Sequence, residues 1–117
     1  MNRVSVINAV LESIGGKTCL EIGVDYGLSF MRIKARRKIA IDPQIRLLPL
    51  MKILSSLSTK ERCYFEVTSD EFFERHHAIP EANGIDVAFV DGLHTYLQSL
   101  RDCHNCLKYL SPRGVIV

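Results

Sequence analysis

Apolar residues along this chain follow two alternating rhythms. Val4, Ile7, Val10, Leu11 and Ile14 recur at helical spacing and stop at Gly15 and Gly16, which predicts a first helix over residues 3–14. Thr18 to Ile22 is then a short apolar run, the pattern of a strand buried inside a parallel sheet. A second helical stretch over roughly residues 27–35 carries Leu28, Met31 and Ile33, and Lys38 to Ile41 forms a second strand closed by Asp42 and Pro43. From Pro49 onward, Leu50, Ile53, Leu54 and Leu57 share one face of a further helix. Arg62 to Val67 reads as a third strand. Thr68 and Glu71 have the spacing of a capping box and open the helix TSDEFFERH, after which Pro80 to Gly84 reads as loop. Ile85 to Val90 is apolar almost throughout and predicts a central fourth strand, followed by Asp91-Gly92-Leu93-His94. The last helix runs from a Thr95 cap through Tyr96, Leu97, Leu100, Cys103, Leu107 and Leu110, with Arg101, Asp102, Asn105 and Lys108 facing water. Ser111-Pro112-Arg113-Gly114 then turns into a fifth strand, Val115-Ile116-Val117. Strands alternating with helices call for an α/β fold, a doubly wound, Rossmann-like and mostly parallel sheet of about five strands with helices on both faces.

Composition narrows this picture without changing it. At 117 residues, 47% hydrophobic and 24% charged, the chain is one domain over 1–117, able to bury a core without staples. Fifteen basic residues against 13 acidic ones, a net charge of +2, point to neither nucleic acid nor a membrane surface as partner. The amino terminus lacks the apolar core of a signal peptide, and no apolar run approaches the ~18 residues of a membrane span. The expectation is a soluble, cytoplasmic protein. Cys19 and Cys63 fall inside strand patterns, where thiols act as small buried hydrophobes. Cys103 and Cys106 form a CxxC, but inside a helical pattern rather than at a helix start, and a zinc site would need a second ligand pair. Packing is the expected use of all four.

The candidate chemistry begins at KTCLEIGVDYG, where a strand breaks into a turn bearing Gly23 and Gly27. In doubly wound sheets ligands sit at the carboxyl ends of the strands, and glycine lets backbone come close to them. Glu21, Asp42, Asp70 and Asp91 lie at or just after the ends of the four complete strands, so the expected pocket is acidic. Such a rim repels a pyrophosphate, and GVDYG lacks the second glycine of GxGxxG, which disfavours a dinucleotide. It suits a ligand with ribose hydroxyls and a positive centre, or a divalent metal ion.

LEIGVDYG resembles the first motif of class I S-adenosylmethionine-dependent methyltransferases, and FVDGLHTYLQSLRDCHNCLKYLSPRGVIV resembles the branch of small-molecule O-methyltransferases related to the macrolide-sugar enzymes. The resemblance covers nearly the whole chain. It implies S-adenosyl-L-methionine as cofactor, with Glu21, Gly23, Gly27, Asp42, Ser69, Asp70 and Asp91 around it. Asp42 would hold the ribose hydroxyls and Thr68-Ser69-Asp70 would meet the adenine. It further implies Asp91 as ligand to Mg2+ or another divalent cation and His94 as general base toward the hydroxyl of a sugar or other small-molecule acceptor. The chemistry is coherent: the metal lowers the hydroxyl's pKa, histidine takes its proton near neutral pH, and the oxygen attacks the sulfonium methyl in line.

Each residue also has a plainer use. Gly23 and Gly27 serve as turn glycines, Asp42 before Pro43 as a turn former, and Ser69, Asp70 and Glu71 as a helix start. Asp91 can hold the loop before Thr95 and His94 can be a loop donor. His76 and His77 suit the carboxyl end of a helix, Tyr26 and Tyr96 suit either pocket lining or packing, and Arg36-Arg37-Lys38 suits a solvated turn. In the resembled family an acidic pair that completes the metal site follows the GVIV strand, together with further strands. Here Val117 is the last residue, which leads us to expect a C-terminally shortened form with an exposed sheet edge that pairs with another copy. Two functions therefore stand: O-methyl transfer, and a non-catalytic nucleoside-binding or assembly module of the same fold. A magnesium-dependent receiver-type regulator fits the acids but not their positions, since it needs paired acids after strand one.

Overall fold

The computed structural model describes residues 2–50, 53, 61–92 and 95–117. Five parallel strands form one sheet: β1 (Thr18–Ile22), β2 (Arg37–Ile41), β3 (Glu61–Phe65), β4 (Ile85–Val90) and β5 (Leu110–Ile116), in the order β3-β2-β1-β4-β5. The helices are α1 (Arg3–Ile14), α2 (Leu28–Arg32), α3 (Ser69–Arg75), α4 (Ala78–Asn83) and α5 (Tyr96–Leu107). The expected α/β, doubly wound, Rossmann-like sheet is what forms. Its strand order reverses between β1 and β4, and such a switch point opens a crevice at the strands' carboxyl ends.

The continuous apolar runs are explained by burial on both faces. All five residues of β1 are buried. Leu20, Ile22, Ile39 and Ile41 pack on one side with Phe72 and Phe73 of α3 and Cys106 of α5. Cys19, Val87 and Phe89 pack on the other with Ile7 and Leu11 of α1. Local chemistry sets the helix ends. Asn2 Oδ1 accepts the Ser5 amide at 2.9 Å to start α1, and Gly15, at φ 63°, ends it. Thr68 caps α3 through the Glu71 amide at 3.1 Å, and Thr95 caps α5 through the Gln98 amide at 3.3 Å.

Four expectations are corrected. Residues 80–83 are not loop but helix, ended by Gly84: Pro80 sits in the first turn of α4, where a missing N–H leaves no intrahelical bond unmade. The second helix stops at Arg32 instead of running to 35, because Asn8 brackets the chain there. Its side chain donates to the Arg32 carbonyl at 3.2 Å and accepts the Lys34 amide at 2.8 Å, while Ile33 turns extended. Residues 111–114 lie inside β5 as a bulge, since Leu110 pairs with Ile85 and Val115 with Val87. The last helix is turned the other way round. Tyr96, Leu97, Leu100 and Leu107 are exposed, Leu97 at 71%, whereas Asp102, expected on the wet side, is 1% exposed and faces inward with Cys106. Of the helix expected from Pro49, only Pro49, Leu50 and Ile53 belong to the described residues.

Of the four cysteines, Cys19 and Cys106 sit in core clusters, while Cys63 and Cys103 are half-buried. All four are free, and burial pushes the Cys19 and Cys106 thiols up to about 12, with the neighbouring Glu21 charge adding to the first and Asp102 to the second. The His76 ring packs tilted against Phe65, centroids 4.9 Å apart, and His77 begins α4.

One side chain ties three segments together at the amino edge of the sheet. Asp86 Oδ2 accepts the Lys17 and Thr18 amides at 2.7 and 2.9 Å, and Oδ1 accepts the Ser111 hydroxyl at 2.6 Å. Burial raises its pKa, but the bonds from Ser111, Thr18 and Lys17 and the Lys17 charge outweigh that and hold it below the ordinary value of 3.8. Its contribution is therefore present above that value and lost as pH falls through the lowered one. Asp86→Ala should destabilise the fold by about 2 kcal/mol in urea denaturation at neutral pH, by stranding two backbone amides.

Candidate functional site

The carboxyl ends of the strands enclose a cavity of about 560 Å³, bounded by Gly23 and Asp25 after β1, Asp42 and Gln44 after β2, Thr68 to Asp70 at the start of α3, Asp91 and Gly92 after β4, and Gln98 and Asp102 of α5. Among the described residues five aspartates, Asp25, Asp42, Asp70, Asp91 and Asp102, line it, and no lysine or arginine does. Arginines reach three of these carboxylates: Arg101 meets Asp70 at 2.7 Å, Arg3 meets Asp91 at 2.7 Å, and Arg46 stands 3.9 Å from Asp25. Five carboxylates against three arginines leave the walls net negative, which favours a ligand that carries positive charge.

The structure divides the sequence-derived candidates. Gly23, Asp42, Ser69, Asp70 and Asp91 all line the cavity. Asp42 receives the Asp25 amide on Oδ2 at 3.0 Å and the Gln44 amide on Oδ1 at 2.8 Å, so it shapes the turn and also presents its carboxylate to the cavity. Ser69 is buried and its hydroxyl donates to Asp102 Oδ1 at 2.6 Å, so that proton is engaged within the protein. Asp70 accepts from Arg101 and from Gln98 Nε2.

Glu21 and Gly27 do not line the cavity. Successive side chains of a strand point to opposite faces, and Glu21 shares the α1 side with Cys19 rather than the side of Leu20 and Ile22. It is 2% exposed, and its Oε2 has no hydrogen-bond partner among the described residues. Burial, then the Asp91 charge, push its pKa up to about 8 against the pull of Lys38 and Arg3, so the group is mainly protonated at neutral pH. Gly27, at φ 78°, begins α2, and a side chain there would run into Leu47. Gly23 has a different use from the one expected: a Cβ at this position would fall on the Asp91 carbonyl, so the glycine brings the β1 and β4 turns together. Tyr26 and Tyr96 are exposed and stand outside the lining.

The catalytic candidate His94 lies outside the described residues. The metal reading finds no donor set among them. Asp91 is held by Arg3, and no group of three His, Cys, Asp or Glu side chains is placed to hold an ion among the described residues. Sequence reasoning missed Asp102 and Gln98. The signal present in the sequence was their spacing of four on one helix, which places both on the same face.

No helix among the described residues is long and apolar enough to cross a membrane. No curated protein and no solved structure matches the chain. A family model described as a methyltransferase domain matches residues 20–117, from the middle of β1 through β5 and thus every wall of the cavity, and the chain belongs to that methyltransferase family.

Proposed function

We propose that the cavity binds S-adenosyl-L-methionine and that the domain directs its methyl group to a hydroxyl of a small molecule or sugar. The observation that carries this reading is the lining: among the described residues, five carboxylates and no basic side chain around a cavity of about 560 Å³ at the switch point. Asp42 is placed to accept ribose hydroxyl protons, and the Ser69–Asp70 turn and α5 bound the side of the cavity where a base would lie. Five carboxylates against three arginines leave the lining net negative, which favours a sulfonium over the neutral thioether product and so aids binding of substrate and release of product. When bound, the cofactor supplies an electrophilic methyl carbon. The chain's own part would be to orient the acceptor hydroxyl toward that carbon and to take up its proton at a base, the role proposed for His94.

Methyl transfer from labelled S-adenosylmethionine to a panel of sugar and phenolic hydroxyls tests this. Transfer that is lost in Asp42→Ala supports the enzyme reading, and binding without transfer to any acceptor leaves a nucleoside-binding module. One feature favours that second reading: Arg3 of α1 occupies the Asp91 carboxylate that the O-methyltransferase resemblance assigns to a metal.

Self-association through β5, which lies at one edge of the sheet, belongs to the same proposal. Exposed Tyr96, Leu97, Leu100 and Leu107 of α5 add apolar surface. Sedimentation of the 117-residue chain should show a dimer or larger species, and a well-behaved monomer would contradict it.

A further inference from the structure

Asp102 is a carboxylate buried to 1% exposure in the wall of the cavity, and its two oxygens are in different situations. Oδ1 accepts the Ser69 hydroxyl at 2.6 Å and Gln98 Nε2 at 3.0 Å. Oδ2 receives no hydrogen bond among the described residues. It lies beside Gly92, where an added Cβ would stand 3.6 Å from it, so that a longer side chain would cover it and glycine leaves it open to the cavity. Asp70, at the same side, has both oxygens engaged, one by Arg101 and the other by Gln98. An oxygen that faces the cavity with no donor among the described residues is free to accept from a ligand, and a ligand N–H placed there meets it.

We infer that Asp102 is the specificity residue for the base of the bound nucleoside, selecting a 6-aminopurine through its exocyclic amine. The inference rests on the S-adenosyl reading of the cavity. Two donors fix the orientation of the carboxylate, so Oδ2 has one direction in which to accept. A 6-oxopurine would turn a carbonyl oxygen toward it, losing the bond and setting two acceptors against each other. Asp102→Asn inverts this logic. Ser69 and Gln98 both donate to the Oδ1 position, so the amide oxygen must take it and the NH₂ group must take the place of Oδ2, where it donates to a carbonyl.

Calorimetric titration of the full chain with S-adenosylhomocysteine and with its 6-oxo analogue, S-inosylhomocysteine, tests the inference. The wild-type protein should bind the adenosyl compound about 10- to 100-fold more tightly, the range expected for a hydrogen bond to a charged group. Asp102→Asn, with folding checked by circular dichroism, should bring that ratio to one or below. Equal affinities in the wild type would overturn the inference while leaving the S-adenosyl reading intact, since Oδ2 would then simply be hydrated. A folded Asp102→Asn protein that keeps the wild-type ratio would overturn it too. If the variant does not fold, the wild-type ratio decides. Failure of both compounds to bind would overturn the S-adenosyl reading and this assignment with it.

Discussion

Gly23→Ala should abolish S-adenosylhomocysteine binding and destabilise the domain by about 3–5 kcal/mol, combining the strain of a side chain at positive φ with a clash against backbone. The position has φ 89°, and the added methyl would fall on the Asp91 carbonyl oxygen and close to Gly92 Cα. Backbone atoms cannot swing aside as a side-chain tip can. Relief would require the β4 turn to move away from the β1 turn, and those two turns form the switch-point wall of the cavity. Gly27 offers the contrast. Its added methyl would meet only the Leu47 side chain, which can rotate, so Gly27→Ala should keep binding and lose about 1 kcal/mol, mostly from φ 78°. Urea denaturation and ligand titration of the two variants side by side check the ranking.

Glu21→Gln should remove a pH dependence of stability and make the protein more stable than wild type in alkaline solution. The folded-state pKa of Glu21 is raised from 4.5 to about 8, first by burial and then by Asp91. In that interval the unfolded chain has lost the proton while the folded one keeps it. Stability from this group is thus fully present below pH 4.5 and falls as pH rises, the loss being complete only above about 8. The whole decline is on the order of 5 kcal/mol. An amide of the same shape avoids the ionisation altogether, so thermal melts of the variant between pH 5 and 9 should lack this slope. Identical slopes in wild type and variant would contradict the assignment.

Much of the fold was legible because its signals are local. Thr68 and Thr95 were readable as caps because a hydroxyl two or three residues from an amide needs no distant partner, and both cap the helices expected of them. β1 and β4 were readable because strands buried on both faces leave unbroken apolar runs. The failures lie where a distant partner decides. Asp102 looked solvent-facing because its reason for being buried, Ser69, stands 33 residues away in the sequence. Tyr96, Leu97, Leu100 and Leu107 looked like a core stripe, but α5 packs through Gln98, Asp102 and Cys106 instead. Pro80 looked like a breaker because sequence alone does not tell the first turn of a helix from a loop.

The site was legible in outline and misread in detail. Acidic strand ends pointed to an acidic cavity, and Asp42, Asp70 and Asp91 do line it. Glu21 was counted with them by position along the chain, although the alternation of Leu20, Glu21 and Ile22 already sends it to the other face of the sheet. The glycine turn was expected to admit a ligand. Gly23 does line the cavity, yet the contact that most requires glycine is with the protein's own Asp91 carbonyl.

The proposed role of the five carboxylates that line the cavity among the described residues is to hold a cationic nucleoside cofactor. Calorimetric titration of the wild-type chain with S-adenosylmethionine, run beside S-adenosylhomocysteine, decides it. Both compounds should bind saturably, one per chain, with the sulfonium form bound more tightly and the difference shrinking as salt is raised. Absence of binding heat for either compound at millimolar concentration would overturn that role.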